Sequence, residues 1–289
     1  MKRVLITGAT GNIGYEVIKS LFKNGTENTI IAGVRNIVTA KGKLSGFESL
    51  EYVNFDFENA KTFDNSLKEI DLIFLLRPPN LADIDKYFKP LIASIKSHSI
   101  KEIVFLSVQG VEKSKIIPHN QIERLITENS LDYIFLRPAY FMQNLTTTLL
   151  KDITTKDKII LPAGNAKFNW VDVENIGESA ALLIDKFEQY QNRKFDITGY
   201  ENMNFEEVAQ IMSDVLKRKI TYKDTNIFKF YFSKKKEGLK SGFIIVLIML
   251  HFFQRFMGEP VISDFYQKIT GKEPNRLKYF FEREKDKFY

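Results

Sequence analysis

Three glycines, Gly8, Gly11 and Gly14, stand at intervals of three in the run Thr7-Gly8-Ala9-Thr10-Gly11-Asn12-Ile13-Gly14. That spacing suits a turn whose backbone N–H groups face an anion. Gly8 permits the tight turn, Gly11 lets the main chain approach a pyrophosphate, and Gly14 lets the next helix lie close on the strand. Thr10, Asn12 and Ile13 fill the loop between them and share the expected phosphate contact. Arg35 follows Gly14 by 21 positions, about where an acidic residue would bind the ribose of NAD or an arginine the 2′-phosphate of NADP. The strand end Ala32-Gly33-Val34-Arg35-Asn36 holds no acid, and a guanidinium pairs with phosphate as a fork. NADP is therefore favoured and NAD is the alternative, unless Arg35 is simply exposed. Asp56, with Phe57 beside it, is placed to contact the adenine.

A strand, a glycine turn and a helix must come in that order for the loop to work. Val4-Leu5-Ile6 is the apolar strand, and Val17, Ile18, Leu21 and Phe22 repeat at helical period over Asn12–Lys23. Further strands are expected at Thr29–Val34, Glu51–Phe55, Asp71–Leu76, Glu102–Ser107, Asp132–Leu136 and Phe195–Ile197. Helices are expected near Ala82–Ser97, His119–Glu128, Asp172–Phe187 and Phe205–Lys217, the last opened by an Asn204/Glu207 capping box. Strands alternating with helices predict an α/β, doubly wound parallel sheet. Residues 1–150, with a return segment near 172–200, are expected to form this Rossmann-like domain. Residues 201–289, helped by 151–171, are expected to form a smaller, mainly helical lobe.

That lobe contains the apolar run Phe243–Phe253, about half the ~20 residues of a spanning helix. Three readings stand for it: a buried helix, the wall of an apolar pocket, or an element dipping into a membrane. Helices are also expected at Ser263–Thr270 and Arg276–Lys287. The absence of Cys excludes disulfides, thiol catalysis and Cys-ligated zinc, and three scattered His suggest no metal site. The N-terminus leaves no room for a signal peptide before the glycine turn, so a cytoplasmic location is expected. The net charge of +6 is spread along the chain. The run Lys234-Lys235-Lys236 reads as a solvated face, with no nucleic-acid or lipid contact expected.

Several of these segments resemble the NmrA-like branch of the atypical short-chain dehydrogenases, most closely its type 2 NAD(P)H:quinone oxidoreductases. They are the glycine run, Val104-Phe105-Leu106-Ser107, Leu136-Arg137-Pro138-Ala139-Tyr140-Phe141-Met142-Gln143-Asn144-Leu145, Asn169-Trp170-Val171-Asp172 and the tail from Pro260 to Pro274. The resemblance covers nearly the whole chain and is weakest over Phe228–Met257. It implies a dinucleotide-binding domain with a small C-terminal substrate lobe and a cleft between them. It also implies that Leu75, Leu76 and Arg77 flank the pyrophosphate and nicotinamide, although Arg77 departs from the small polar residues usual there. Tyr140, Phe141 and Asn144 would line the nicotinamide and substrate site, with Trp170 on the substrate side.

Typical short-chain dehydrogenases use a Ser, together with a Tyr four residues before a Lys. Ser107 stands where the serine belongs, but His119 and Glu123 replace the Tyr and Lys. His119 is then a candidate proton donor or orienter, or a structural residue at a helix start; Tyr140 is a second candidate acid. Loss of the usual acid points away from ordinary ketones and toward quinones or similar small conjugated carbonyls, which accept hydride readily. The expected function is NAD(P)H-dependent reduction of such a compound by a monomer or homodimer. A non-catalytic NADP-binding redox sensor is the alternative.

Overall fold

Val4, Leu5 and Ile6 lie fully buried in the first strand, β1 (Arg3–Thr7), of a computed structural model that describes all 289 residues. Five further strands follow: β2 (Thr29–Val34), β3 (Glu51–Asn54), β4 (Leu72–Leu76), β5 (Glu102–Leu106) and β6 (Asp132–Pro138). With a seventh at Arg193–Ile197 they form one sheet, ordered seventh–β6–β5–β4–β1–β2–β3. All neighbouring pairs are parallel. Strands such as Leu72-Ile73-Phe74-Leu75 are buried along their length, as in sheets covered on both faces. The order reverses between β1 and β4, and ligands in such sheets bind beyond the strand ends at that switch point.

The chain divides into two units. The first comprises Met1–Pro138, Val173–Ile197 and Phe265–Gly271. It contains the parallel sheet and the helix α1 (Asn12–Lys23), which buries Val17, Ile18 and Leu21. The second unit comprises Ala139–Asp172, Thr198–Asp264 and Lys272–Tyr289. Its core gathers Trp170, Phe205, Phe230, Phe280, Phe281 and Phe288.

The second unit also contains five short strands: Tyr140–Phe141, Lys158–Leu161, Phe168–Val171, Asn202–Met203 and Thr221–Asp224. None exceeds four residues, so none shows the alternation that announces a strand. The capping box is present, with Glu207 N–H donating to Asn204 Oδ1 at 2.9 Å and Asn204 N–H to Glu207 Oε2 at 2.7 Å. Its helix stops at Leu216 because Lys217 turns left-handed, with φ at 53°. The expected helix Arg276–Lys287 is instead Leu277–Arg283 followed by a 3₁₀ turn, Lys285–Phe288.

Two surface expectations need correction. Lys234 is not solvated: its Nζ is buried 2.6 Å from Asp152 Oδ2 and 3.0 Å from Glu237 Oε2. Only Lys235 and Lys236 of that run are exposed. The apolar run forms a helix, Ser241–Phe252, but only Ile244, Leu247 and His251 of it are buried. No helix is long and apolar enough to cross a membrane.

Candidate functional site

The glycine turn joins β1 to α1 on the switch-point side of the first unit. Gly8 adopts φ +63°, a left-handed conformation that side chains rarely take, and a Cβ there would lie 3.0 Å from Leu76 Cδ2. The Gly11 N–H donates to the Gly8 carbonyl at 2.9 Å and closes the turn. A Cβ on Gly14 would lie 2.3 Å from that same carbonyl oxygen. Nothing larger than hydrogen fits there. Gly11 is the N-cap of α1 and carries no side chain that could occupy the free N–H groups of the first turn. Thr10, Gly11 and Asn12 are exposed, and Ile13 is partly so. The turn is thus a cradle built to admit an anion at a helix N-terminus.

Other candidates in this unit stand at the same strand ends. Arg35 is exposed just beyond β2, where its own carbonyl accepts from Asn54 Nδ2 at 2.9 Å. Asp56 follows β3 and its Oδ1 accepts from the Glu58 N–H at 3.0 Å. Phe57 is buried, packed edge-on to Phe55 at 4.9 Å. Leu75 belongs to the core, whereas Leu76 is partly exposed over Gly8.

Arg77 turns back onto its own loop. Its Nη1 donates to the carbonyls of Pro78, Pro79 and Leu81 at 3.0, 3.2 and 2.9 Å, and its Nε donates to His119 Nε2 at 3.4 Å. Burial lowers the Arg77 pKa to about 10, which leaves it charged at neutral pH. Burial, reinforced by that charge, pushes His119 down to about 3. His119 is therefore neutral at neutral pH, with Nε2 as acceptor and its proton on Nδ1.

Glu123 is buried in a two-pronged ion pair with Arg137, at 2.9 and 2.6 Å, and Arg137 also reaches Glu112 at 3.2 Å. It therefore serves as the counter-ion of β6. Ser107 is buried at the end of β5. Its N–H donates to Leu136 O at 2.8 Å, but its hydroxyl has no partner. Asn120 Oδ1 is a second buried atom without a partner, a residue that sequence reasoning missed. Such atoms mark places where a ligand can supply the missing bond.

The remaining candidates belong to the second unit. Tyr140 lies among aromatic rings, 4.9 Å from Trp170 and 5.1 Å from Phe168. Its hydroxyl is 2.8 Å from His251 Nε2. His251 Nδ1 donates to the Leu247 carbonyl at 2.6 Å, so Nε2 carries no proton and accepts from Tyr140. Burial raises the Tyr140 phenol well above its ordinary value, with Asn144 bonding to it in partial opposition. Burial lowers His251 to about 4. Phe141 and Asn144 are partly exposed, whereas Trp170 is buried with its indole N–H donating to Met203 O at 3.0 Å. His251 had no sequence signal, standing 111 residues from Tyr140.

A seven-stranded parallel sheet with a glycine turn at its switch point makes the protein a Rossmann-like α/β protein. The chain belongs to the NmrA-like family, which matches residues 1–241. The Prestalk A differentiation protein A of Dictyostelium discoideum is 31% identical over 223 residues, covering 76% of this chain and 72% of that protein. Among solved structures, the Citrobacter sp. triphenylmethane reductase complexed with NADP(H) superposes with a TM-score of 0.84 at 23% identity, covering 98% and 99% of the two chains. The NADPH-dependent quinone oxidoreductase of Escherichia coli complexed with NADPH gives 0.85 at 19% identity, covering 97% and 99%. These two likenesses establish the shared fold.

Proposed function

We propose that this chain is an NADPH-dependent oxidoreductase acting on a quinone or a similar small conjugated carbonyl compound. The observation that carries the reading is the turn at Gly8–Gly14, where any Cβ on Gly14 would collide with the Gly8 carbonyl. That cradle and the partnerless Ser107 hydroxyl fit a dinucleotide. Backbone N–H groups from Asn12 to Gly14 would hold its pyrophosphate, Arg35 its 2′-phosphate, and Asp56 the adenine against the wall that includes Phe57. Leu75, Leu76 and Arg77 would border it, and Ser107 would bond the nicotinamide end. When bound, NADPH supplies the hydride.

The choice of acceptor rests on what the protein cannot donate. Glu123 is committed to Arg137, and His119 Nε2 is an acceptor. With the Tyr140 hydroxyl held on His251 Nε2, His119 Nδ1 or water is left to protonate the reduced oxygen, which suits an acceptor needing little acid assistance. In the second unit, Tyr140 packs among Phe168, Trp170 and Phe205, with Phe141 and Asn144 partly exposed beside it, a surface that would suit a flat compound. The test is oxidation of NADPH in the presence of a quinone panel, with an unactivated ketone as control. Turnover with quinones and none with the ketone is expected; robust ketone reduction would defeat the reading. The commitment of Glu123 also favours a second reading, a non-catalytic NADP-binding redox sensor. That protein would discriminate NADPH from NADP⁺ in binding and turn over nothing.

A further inference from the structure

Within the helix Ser241–Phe252 and the turn after it, Ile245, Val246, Met249, Leu250 and Phe253 are all exposed. Their spacing of three and four puts them on one face, opposite the buried Ile244, Leu247 and His251. Val246 alone is 54% exposed and Met249 51%. The neighbouring helix Ile227–Lys236 adds Phe228 and Phe232, exposed at 67% and 62%. Phe256 and Met257 extend the apolar surface beyond the first helix. An exposed apolar surface of this kind marks an interaction site. The family match ends at residue 241, where this helix begins.

The charges beside it identify the partner. Between Asn226 and Gly258 there is a single acid, Glu237, and it is already paired with Lys156 and Lys234. Lys229, Lys235, Lys236 and Lys240 are exposed and form no ion pair. Lys235 Nζ donates to Ser241 Oγ at 3.1 Å, which sets this cation, with Lys240 at the N-cap, at the N-terminal end of the apolar stripe. We infer that this helix pair docks the protein peripherally onto an anionic lipid bilayer. The apolar stripe and Phe232 enter the headgroup–acyl boundary, and the lysines meet the lipid phosphates and carboxylates. The helix has twelve residues and lies in the surface, being too short to cross. A second copy is the poorer partner, because a symmetric pairing of this face would bring the four lysines near their own equivalents.

The test is flotation of the full chain with vesicles of phosphatidylcholine alone and with vesicles of an equal mixture with phosphatidylserine. Binding should be strong to the mixed vesicles, at least about tenfold weaker to phosphatidylcholine alone, and suppressed by salt. Ile245→Glu combined with Met249→Glu should abolish it. Lys235→Glu combined with Lys236→Glu should weaken it about tenfold or more while leaving the apolar stripe intact. Both pairs change exposed side chains, and thermal unfolding of each variant reports whether its fold survives. Should the first pair misfold, the lysine pair still decides the matter. Absence of vesicle binding, or equal binding to both vesicle types, overturns the inference. So does a dimer, seen by light scattering, that Ile245→Glu dissolves in a protein that ignores vesicles.

Discussion

His119 in the first unit and His251 in the second are both held neutral, but by different surroundings. His119 accepts from the Arg77 guanidinium, and that nearby charge adds to the effect of burial. His251 faces the Tyr140 phenol and two further aromatic rings, and burial alone lowers it against the pull of the Leu247 carbonyl. The candidate site of the first unit is therefore built from charge and a tightly closed glycine turn. The second unit's cluster is built from neutral rings and one chain of hydrogen bonds. A substitution that removes charge should disturb the first and leave the second untouched.

The largest effect expected is at Gly14. Gly14→Val should reduce NADPH affinity by about a hundredfold or more, because the loop must open before the helix end can reach a phosphate. Calorimetric titration showing wild-type affinity would mean that the turn is only structural. Next, Glu123→Ala removes one partner of a buried ion pair and should cost about 3–5 kcal/mol in denaturant unfolding. A cost below about 1 kcal/mol would show that Glu112 suffices for Arg137. Arg35→Ala should erase a preference for NADP(H) over NAD(H) of about tenfold, the value of a charge-assisted bond of some 1.4 kcal/mol. Equal affinities in the unmodified protein would remove that assignment.

A smaller effect tests the comparison itself. Neither His119 nor His251 should titrate between pH 5 and 8 when followed by imidazole NMR, since their values lie near 3 and 4. Arg77→Met should raise His119 part of the way toward 6.5 and leave His251 where it is. Equal movement of both would show that the two sites are coupled. The sign for stability follows from the lowered values. Below about pH 6.5 the unfolded chain binds protons that the folded chain refuses, so stability should fall as pH drops toward 4.

The first unit was the more legible because its signals are local. Strand, turn and helix lie within residues 3–23, and the three glycines report a backbone constraint that no other residue satisfies. The Glu123–Arg137 pair spans only 14 positions, yet it depends on how a helix lies against β6, which periodicity does not encode. Tyr140 and His251 meet across 111 positions in a unit whose strands have two to four residues. The helix Ser241–Phe252 was illegible for another reason. An unbroken apolar run has no polar face to give its phase, so the sequence could not say which side is buried.

β1 and β4 stop pairing after Ile6 and Phe74, and Thr7 stands at that parting. Its buried hydroxyl donates to the Phe74 carbonyl at 3.1 Å and accepts from the Leu76 N–H at 2.8 Å. One oxygen thus carries the ladder a step past the point where the main chains separate. The consequence belongs to time as much as to shape. The Leu76 amide, at the lip of the crevice, should exchange its hydrogen with solvent as slowly as the strand interior, and Thr7→Val should bring that slow clock to the pace of a loop.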